Sequence, residues 1–294
     1  MSMLEREMKN LARQAGGSHK TVHDRIAMAE RFCERLAEQN IQIRYIHHLK
    51  ARHIEAYIQM RLAQNIQKRT LHNEMAAVRK ILTQAGREKL AQSERISNKS
   101  LGLAGASRNG TRQAITQEHY QQVLDTARQK DAGLAASLEL ARLMGLRSQE
   151  AVRCSHSLPV WRQALERGDT RLTVVFGTKG GRPRDTIIQD TIAVRQAVDN
   201  AIVIAAQRNG RLIDAANLKQ AMKYWCNSTQ RMGLTGKYSP HSLRYAWAQD
   251  DIRRYLAQGF CEKEALAMVA MDLGHGDGRG RWVKQVYAQG WKEE

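Results

Sequence analysis

Tyr287, the cations Arg147, Lys179 and Arg244, and the imidazoles His241 and His275 are the side chains of this 294-residue chain best suited to chemistry on a phosphodiester. A phenol ionises near about pH 10. It attacks phosphorus only when a neighbour takes its proton and cations meet the charge that develops. Phosphoryl transfer spreads negative charge over the nonbridging oxygens, so catalysis is mainly positioning and electrostatics. Arginine answers that need with a planar fork of donors that stays charged. Lysine or histidine can hand a proton to the departing oxygen. His241 and Arg244 are three residues apart, directly after Pro240, so a helix there puts both on one face. Arg147 follows Gly145 and Leu146 and has Glu150 three residues on. Lys179 sits among Gly180, Gly181 and Arg182, and His275 lies in a Leu-Gly-His-Gly string at 273–276. Each alone has an ordinary explanation: a surface ion pair, a solvated turn cation, a helix cap, a packed tyrosine. Together they point to DNA strand cleavage through a covalent phosphotyrosine.

The elements that must position these residues are mostly helical. Apolar periodicity predicts helices over 18–39 (Val22, Ile26, Ala29, Cys33, Leu36), 51–64 (Ile54, Ile58, Leu62) and 69–85 (Leu71, Met75, Val78, Leu82). Those stripes read as core. The cations between them, Lys50, Arg52, Lys68, Arg69, Arg79 and Lys80, suit a small helical domain laid against a DNA backbone. Residues 93–113 lose the periodicity and collect Ser, Asn and Gly, as a linker does. Helices return over 116–129, 131–144, 191–207, 215–229 and 261–272, and Ser239 and Pro240 mark a further start. The stretch 171–189 reads as a strand pair, with Leu172, Val174 and Phe176 alternating and 177–182 as its turn. The expected layout is a helical domain over 1–92, a linker over 93–113 and a catalytic domain over 114–294. Its class is mainly α with a small antiparallel β-sheet.

The net charge is +18. Residues 1–110 carry 20 Lys/Arg against 10 Asp/Glu and the rest 27 against 19, so both halves are basic. A polyanion is the simplest partner, because each cation placed on a phosphate releases a condensed counterion. Arg182, beside Lys179, joins the candidate backbone contacts. Cys33, Cys154, Cys226 and Cys261 lie far apart, without a CxxC pair or Cys/His zinc spacing. Reduced thiols in a cytosolic protein are the expectation. The first ten residues are charged and lack the apolar core of a signal peptide, and no run of 18 apolar residues suggests a membrane span. A cytoplasmic, nucleoid-associated protein is expected.

The strings GLRSQE (145–150), TKGGR (178–182), SPHSLRY (239–245), LGHG (273–276) and VYA (286–288), in this order, resemble the tyrosine recombinases, the phage-type integrases. The resemblance covers the whole chain in layout. It implies a SAM-like N-terminal core-binding domain and a catalytic domain closing as a clamp on duplex DNA. It implies that Arg147 and Arg244 hold the scissile phosphate and that Lys179 protonates the departing 5′-hydroxyl. His241 would assist proton transfer at Tyr287, His275 would hydrogen-bond a nonbridging oxygen, and Glu150 would buttress Arg147. Tyr287 would form a 3′-phosphotyrosine link, with no metal, ATP or other cofactor. A homotetramer would exchange strands between paired sites through a Holliday junction, with DNA-bending or directionality factors as further partners. The 12 residues from His275 to Tyr287 exceed the usual family spacing, and the interval from Arg244 to His275 is also long. The first interval includes Gly276, Gly278 and Gly280, so a mobile Tyr287 segment is expected. Seven residues follow Tyr287, so contact with a neighbouring protomer is expected to be short or made elsewhere. A second reading of the same features is a non-catalytic architectural DNA-binding protein. A third is a relaxing enzyme of the type IB topoisomerase kind, disfavoured by the small size and separate N-terminal helical domain.

Overall fold

The computed structural model describes residues 1–289 and 291. It separates into two compact units, Met1–Arg108 and Asn109–Glu294. The first unit is built from α1 (Met3–Gln14), α2 (His19–Glu38), α3 (Ala51–Ala63), α4 (Lys68–Gln84) and the short α5 (Glu88–Ala91). Ser2 and Ser18 cap the first two helices, accepting from the amides of Glu5 and Thr21. Helix α1 is not foreseen by the sequence reading, which treats this stretch only as a charged terminus. It buries Leu4, Met8 and Ala12, a stripe kept narrow by the charges around it. The core gathers Phe32, Tyr57, Ile58, Met75 and Val78. A buried carboxylate, Glu74, accepts from Tyr57 Oη at 2.8 Å, Arg61 Nη2 at 2.8 Å and Arg31 Nη1 at 2.9 Å. Three donors from two helices, α2 and α3, compensate one buried charge on α4.

The segment expected as a linker over 93–113 is more ordered than its composition suggests. Ile96, Leu101 and Leu103 are buried in the first unit's core. Arg79 Nη2 donates to the Ile96 carbonyl at 2.6 Å and to Asn98 Oδ1 at 2.9 Å. The spacing of those three apolar residues follows neither a helix nor a strand period, so periodicity does not reveal them. Arg79 differs from its expected role for the same reason: its guanidinium is half-buried and committed to the fold. Lys50, Arg52, Lys68, Arg69 and Lys80 are exposed.

The second unit contains α6 (Gln117–Lys130), α7 (Ala132–Leu143), α8 (Ser148–Arg153), α9 (Leu158–Glu166), β1 (Arg171–Val174), β2 (Arg184–Ile187), α10 (Thr191–Ala206), α11 (Leu218–Arg231), α12 (His241–Ala257), α13 (Glu262–Asp272) and α14 (Gly280–Val286). The architecture is mainly α with one small antiparallel sheet. Strands β1 and β2 pair in register from Arg171 opposite Ile187 to Val174 opposite Arg184. Leu172 and Val174 face the core, and so do Arg184 and Thr186 on the return strand. Phe176, expected within the first strand, lies past its end, and the Arg153 guanidinium sits over its ring at 5.5 Å. Helix α7 is buried on almost every side, and its Leu134, Leu138, Leu140 and Ala141 anchor the larger core. A second cluster joins α12, α13 and α14 through Trp247, Ile252, Leu266, Val269, Val283 and Val286. Among the described residues no helix is long and apolar enough to cross a membrane.

Candidate active site

Arg147 is the residue before α8, at the turn that leaves α7. Its amide donates to Glu150 Oε2 at 2.9 Å, the reach-back bond of a capping box. Its Nη1 donates to Glu150 Oε1 at 2.6 Å and its Nη2 to the Leu273 carbonyl at 3.2 Å. Arg244, one turn into α12, is fully buried. Its Nη1 donates to the Gly145 carbonyl and its Nη2 to the Leu273 carbonyl at 2.5 Å, while Nε lies 3.4 Å from Tyr287 Oη. One peptide oxygen just past α13 thus orients both arginines. Gly145 is a glycine for a reason: it holds φ +58°, and a Cβ would stand 2.6 Å from Trp247 Cδ2.

A third guanidinium completes the cluster, one that the sequence reading does not single out. Arg184, at the start of β2, donates Nε and Nη2 to the two Glu150 oxygens at 3.2 and 2.7 Å. Its Nη1 reaches the Asp272 carbonyl at 3.1 Å and its Nη2 the Gly145 carbonyl at 3.2 Å. Burial pushes the Glu150 carboxyl up, but the charge and hydrogen bonds of Arg184, then Arg244 and Arg147, outweigh it and hold the group at about 2. Burial pulls Arg244 down to about 10, opposed by the Tyr287 phenol and reinforced by Arg184 and Arg147. At neutral pH three guanidiniums therefore surround one carboxylate. The only sequence sign of Arg184 is a cation in register with the inward-facing Thr186, next to a motif that ends at Arg182.

Tyr287 follows α14 directly and is 2 % exposed. Its Oη is 3.4 Å from His275 Nε2, the same separation as from Arg244 Nε. Trp282 packs edge-on against His275 at 4.2 Å and against Tyr287 at 5.5 Å between ring centroids. Gln249 Nε2 donates to the Tyr287 carbonyl at 2.9 Å. The interval expected to be mobile is a glycine-bearing turn followed by α14, which returns the phenol to the arginines. The His241 ring is 6.1 Å from that of Tyr287, against 5.9 Å for His275, but among the described residues only His275 makes a hydrogen-bond contact with the phenol oxygen. Burial, then Arg244 and Arg147, lower His241 to about 4 and His275 to about 3. Both imidazoles are therefore neutral at pH 7, and added negative charge between them and the arginines would raise their affinity for a proton.

The structure thus brings Arg147, Glu150, Arg244, His275 and Tyr287 together, with His241 at the edge. Lys179 is exposed in the turn between β1 and β2, as is Arg182. Among the described residues no hydrogen bond ties Lys179 to the cluster, although its charge contributes to lowering His275.

Two family models cover most of the sequence. Residues 1–91 match the phage integrase N-terminal domain, and residues 102–250 match the integrase domain. The chain belongs to the phage-integrase family of tyrosine recombinases. The integrase domain match includes Arg147, Lys179, His241 and Arg244 and ends before His275 and Tyr287. No curated protein sequence matches the integrase. Among solved structures, a lambda integrase dimer bound to a COC′ core site has a similar fold. That likeness has a TM-score of 0.62 at 18 % identity, covering 99 % of this chain and 78 % of that one. The XerH site-specific recombinase, bound to a palindromic difH substrate in a post-cleavage complex, gives 0.56 at 16 % identity over 92 % and 76 %. The Tn1549 transposon integrase in complex with transposon right end DNA gives 0.55 at 12 % identity over 100 % and 96 %.

Proposed function

We propose that the integrase cleaves and rejoins DNA at specific sites through Tyr287, forming a 3′-phosphotyrosine intermediate by side-chain chemistry alone. The Tyr287 oxygen attacks the scissile phosphorus and the bond to the 5′-oxygen breaks. The phenolic proton passes to a neutral imidazole, with His275 the nearer in this arrangement and His241 the alternative. Lys179, carried by its turn, gives a proton to the departing 5′-oxygen. Arg147 and Arg244 hold the nonbridging oxygens, the first directed by Glu150 and the second by the Gly145 and Leu273 carbonyls. A 5′-hydroxyl attacking the phosphotyrosine reverses the steps and joins the strands. Binding energy stored as preorganised charge serves the transition state, because these groups need no reorganisation when the charge moves.

The observation that carries this reading is the buried phenol, 3.4 Å from both Arg244 Nε and His275 Nε2. Three guanidiniums against one carboxylate leave the cluster with excess positive charge, and a phosphodiester supplies the complement. A solved relative is a lambda integrase tetramer bound to a Holliday junction. By that likeness four copies of this chain would pair two duplexes, each gripped by the basic helical unit and the catalytic unit. DNA-bending or directionality factors would then act on that assembly in the cell.

A suicide duplex, nicked so that the cleaved strand diffuses away, tests the proposal. The parent integrase should form a covalent adduct on its site, and Tyr287→Phe should form none while binding the duplex with unchanged affinity. An adduct of undiminished yield in Tyr287→Phe would remove the nucleophile from the scheme.

A further inference from the structure

The first residues of the second unit lie between the two elements that carry the candidate chemistry. The Gly110 amide donates to the Gln285 carbonyl at 3.2 Å, and Gln285 Nε2 returns a bond to Asn109 Oδ1 at 3.2 Å. Gln285 is two residues before Tyr287 on the short α14. Farther on, Arg112 Nη1 donates to the Gly236 carbonyl at 2.8 Å and the Gln113 amide to the Lys237 carbonyl at 3.0 Å. Both carbonyls belong to the turn that leads into His241. The Ile115 side chain is buried, so the strap is anchored beyond them. Residues 109–115 therefore bridge the nucleophile's helix and the start of the His241–Arg244 helix.

The fit at Gly110 is close. A Cβ there would overlap the Val286 carbonyl oxygen and stand 2.7 Å from Tyr245 Oη. Tyr245 in turn packs on Tyr287 with ring centroids 4.6 Å apart. Any side chain at position 110 must displace Val286, and with it the next residue, which is Tyr287. Seven-residue helices have little stability of their own. The contacts of α14 with its surroundings therefore decide where the phenol stands.

We infer that the strap 109–113 is a positioning element for Tyr287, with Gly110, Asn109 and Gln285 as its positioning residues. This rests on Tyr287 being the nucleophile. A shift of about 1 Å in a reacting group can cost on the order of 100-fold in rate. Among the described residues no hydrogen bond joins residues 110–113 to Arg147, Arg184 or Arg244, and the bonds at Gly110 and Gln285 are on the nucleophile's side of the strap, so loosening that end acts first on Tyr287.

The test uses the full chain and a nicked suicide duplex, with single-turnover adduct formation measured across DNA concentration and thermal melting measured alongside. Gly110→Ala should lower the limiting rate about 10- to 100-fold while the half-saturating DNA concentration stays within error and the melting temperature falls by only a few degrees. Gln285→Ala, which adds no bulk and removes the side-chain bond to Asn109, should give a smaller loss of the same kind. Gln285→Glu, which keeps the side chain's length, should fall between Gln285→Ala and the parent. Parent-like limiting rates in Gly110→Ala and Gln285→Ala would overturn the inference. So would losses in rate that only track losses in melting temperature. A parent chain that makes no adduct would overturn the phosphotyrosine reading itself, and the strap's role with it.

Discussion

Arg147 and Arg244 share the Leu273 carbonyl but stand in different surroundings, and that decides which of them can be tested cleanly. Arg244 is sealed, so its removal would leave a buried void and strip the Gly145 and Leu273 carbonyls of one donor each, mixing a folding effect with a chemical one. Arg147 is half-buried, and Glu150 would keep both bonds from Arg184 after its loss. Arg147→Ala should therefore lower single-turnover cleavage by about 100- to 1,000-fold, the scale of losing one oxyanion donor. Affinity for duplex should change only a few-fold, since many other cations share the backbone. Both are read from adduct formation and equilibrium binding on one labelled duplex. A wild-type rate would take Arg147 out of the phosphate clamp. The Arg147–Glu150 pair was legible because a helix brings residues three apart together. Arg184 was not, because what makes it important is the pair of Glu150 oxygens it meets 34 residues away in the chain.

At the scale of elements, α12 and α13 meet through two buried carboxyls behind the cluster. Asp272 accepts from Tyr255 Oη at 2.7 Å and pairs with Arg171. Asp251 accepts from Arg254 Nε and Nη2 at 2.9 and 2.7 Å through one oxygen, and its other oxygen has no partner among the described residues. Burial, then the charge of Asp272, pushes Asp251 up to about 7. An unfolded aspartate titrates near about 4. Between these values the folded chain holds a proton that the unfolded chain has lost, so stability falls as pH rises from about 4 to about 7. Above that the penalty is complete. Asp251→Asn keeps the acceptor for Arg254 and removes the charge. It should raise the melting temperature at pH 8, by a gain that shrinks towards pH 5. A pH-independent difference between the two melting curves would show that Asp251 is not the titrating group. The same scale shows what periodicity can and cannot reveal. Helices α2, α3 and α4 and the strand pair follow from apolar spacing, since each turns one broad face to a core, whereas α7 is buried on almost every side. Helices α1 and α14 have narrow stripes or few residues, and the seating of Ile96, Leu101 and Leu103 has no period at all.

For the whole molecule the question is how much of the +18 charge is available to DNA. Arg31 and Arg61 are spent on Glu74, Arg79 on the chain at 96–98, and Arg184 on Glu150. In the N-terminal unit the exposed set includes Lys50, Arg52, Lys68, Arg69 and Lys80, and in the catalytic unit Lys179 and Arg182. If half a dozen or more of these cations neutralise phosphates, affinity for duplex should fall by about 1,000-fold or more between 50 and 200 mM salt. The logarithm of the binding constant should be linear in the logarithm of salt, as fluorescence anisotropy in a potassium chloride series would read. Lys68 and Lys80 carry the sharper form of this expectation, since both sit on α4 with exposed side chains. Replacing both with Gln should reduce the slope by about two, weakening all sequences alike, because phosphate contacts set affinity and base contacts set preference. Arg79→Gln should leave the slope unchanged and instead lower thermal stability, because that guanidinium already binds Ile96 and Asn98. The reverse pattern, a slope altered by Arg79→Gln and untouched by the lysine pair, would mean that burial in the free chain does not predict which cations meet DNA.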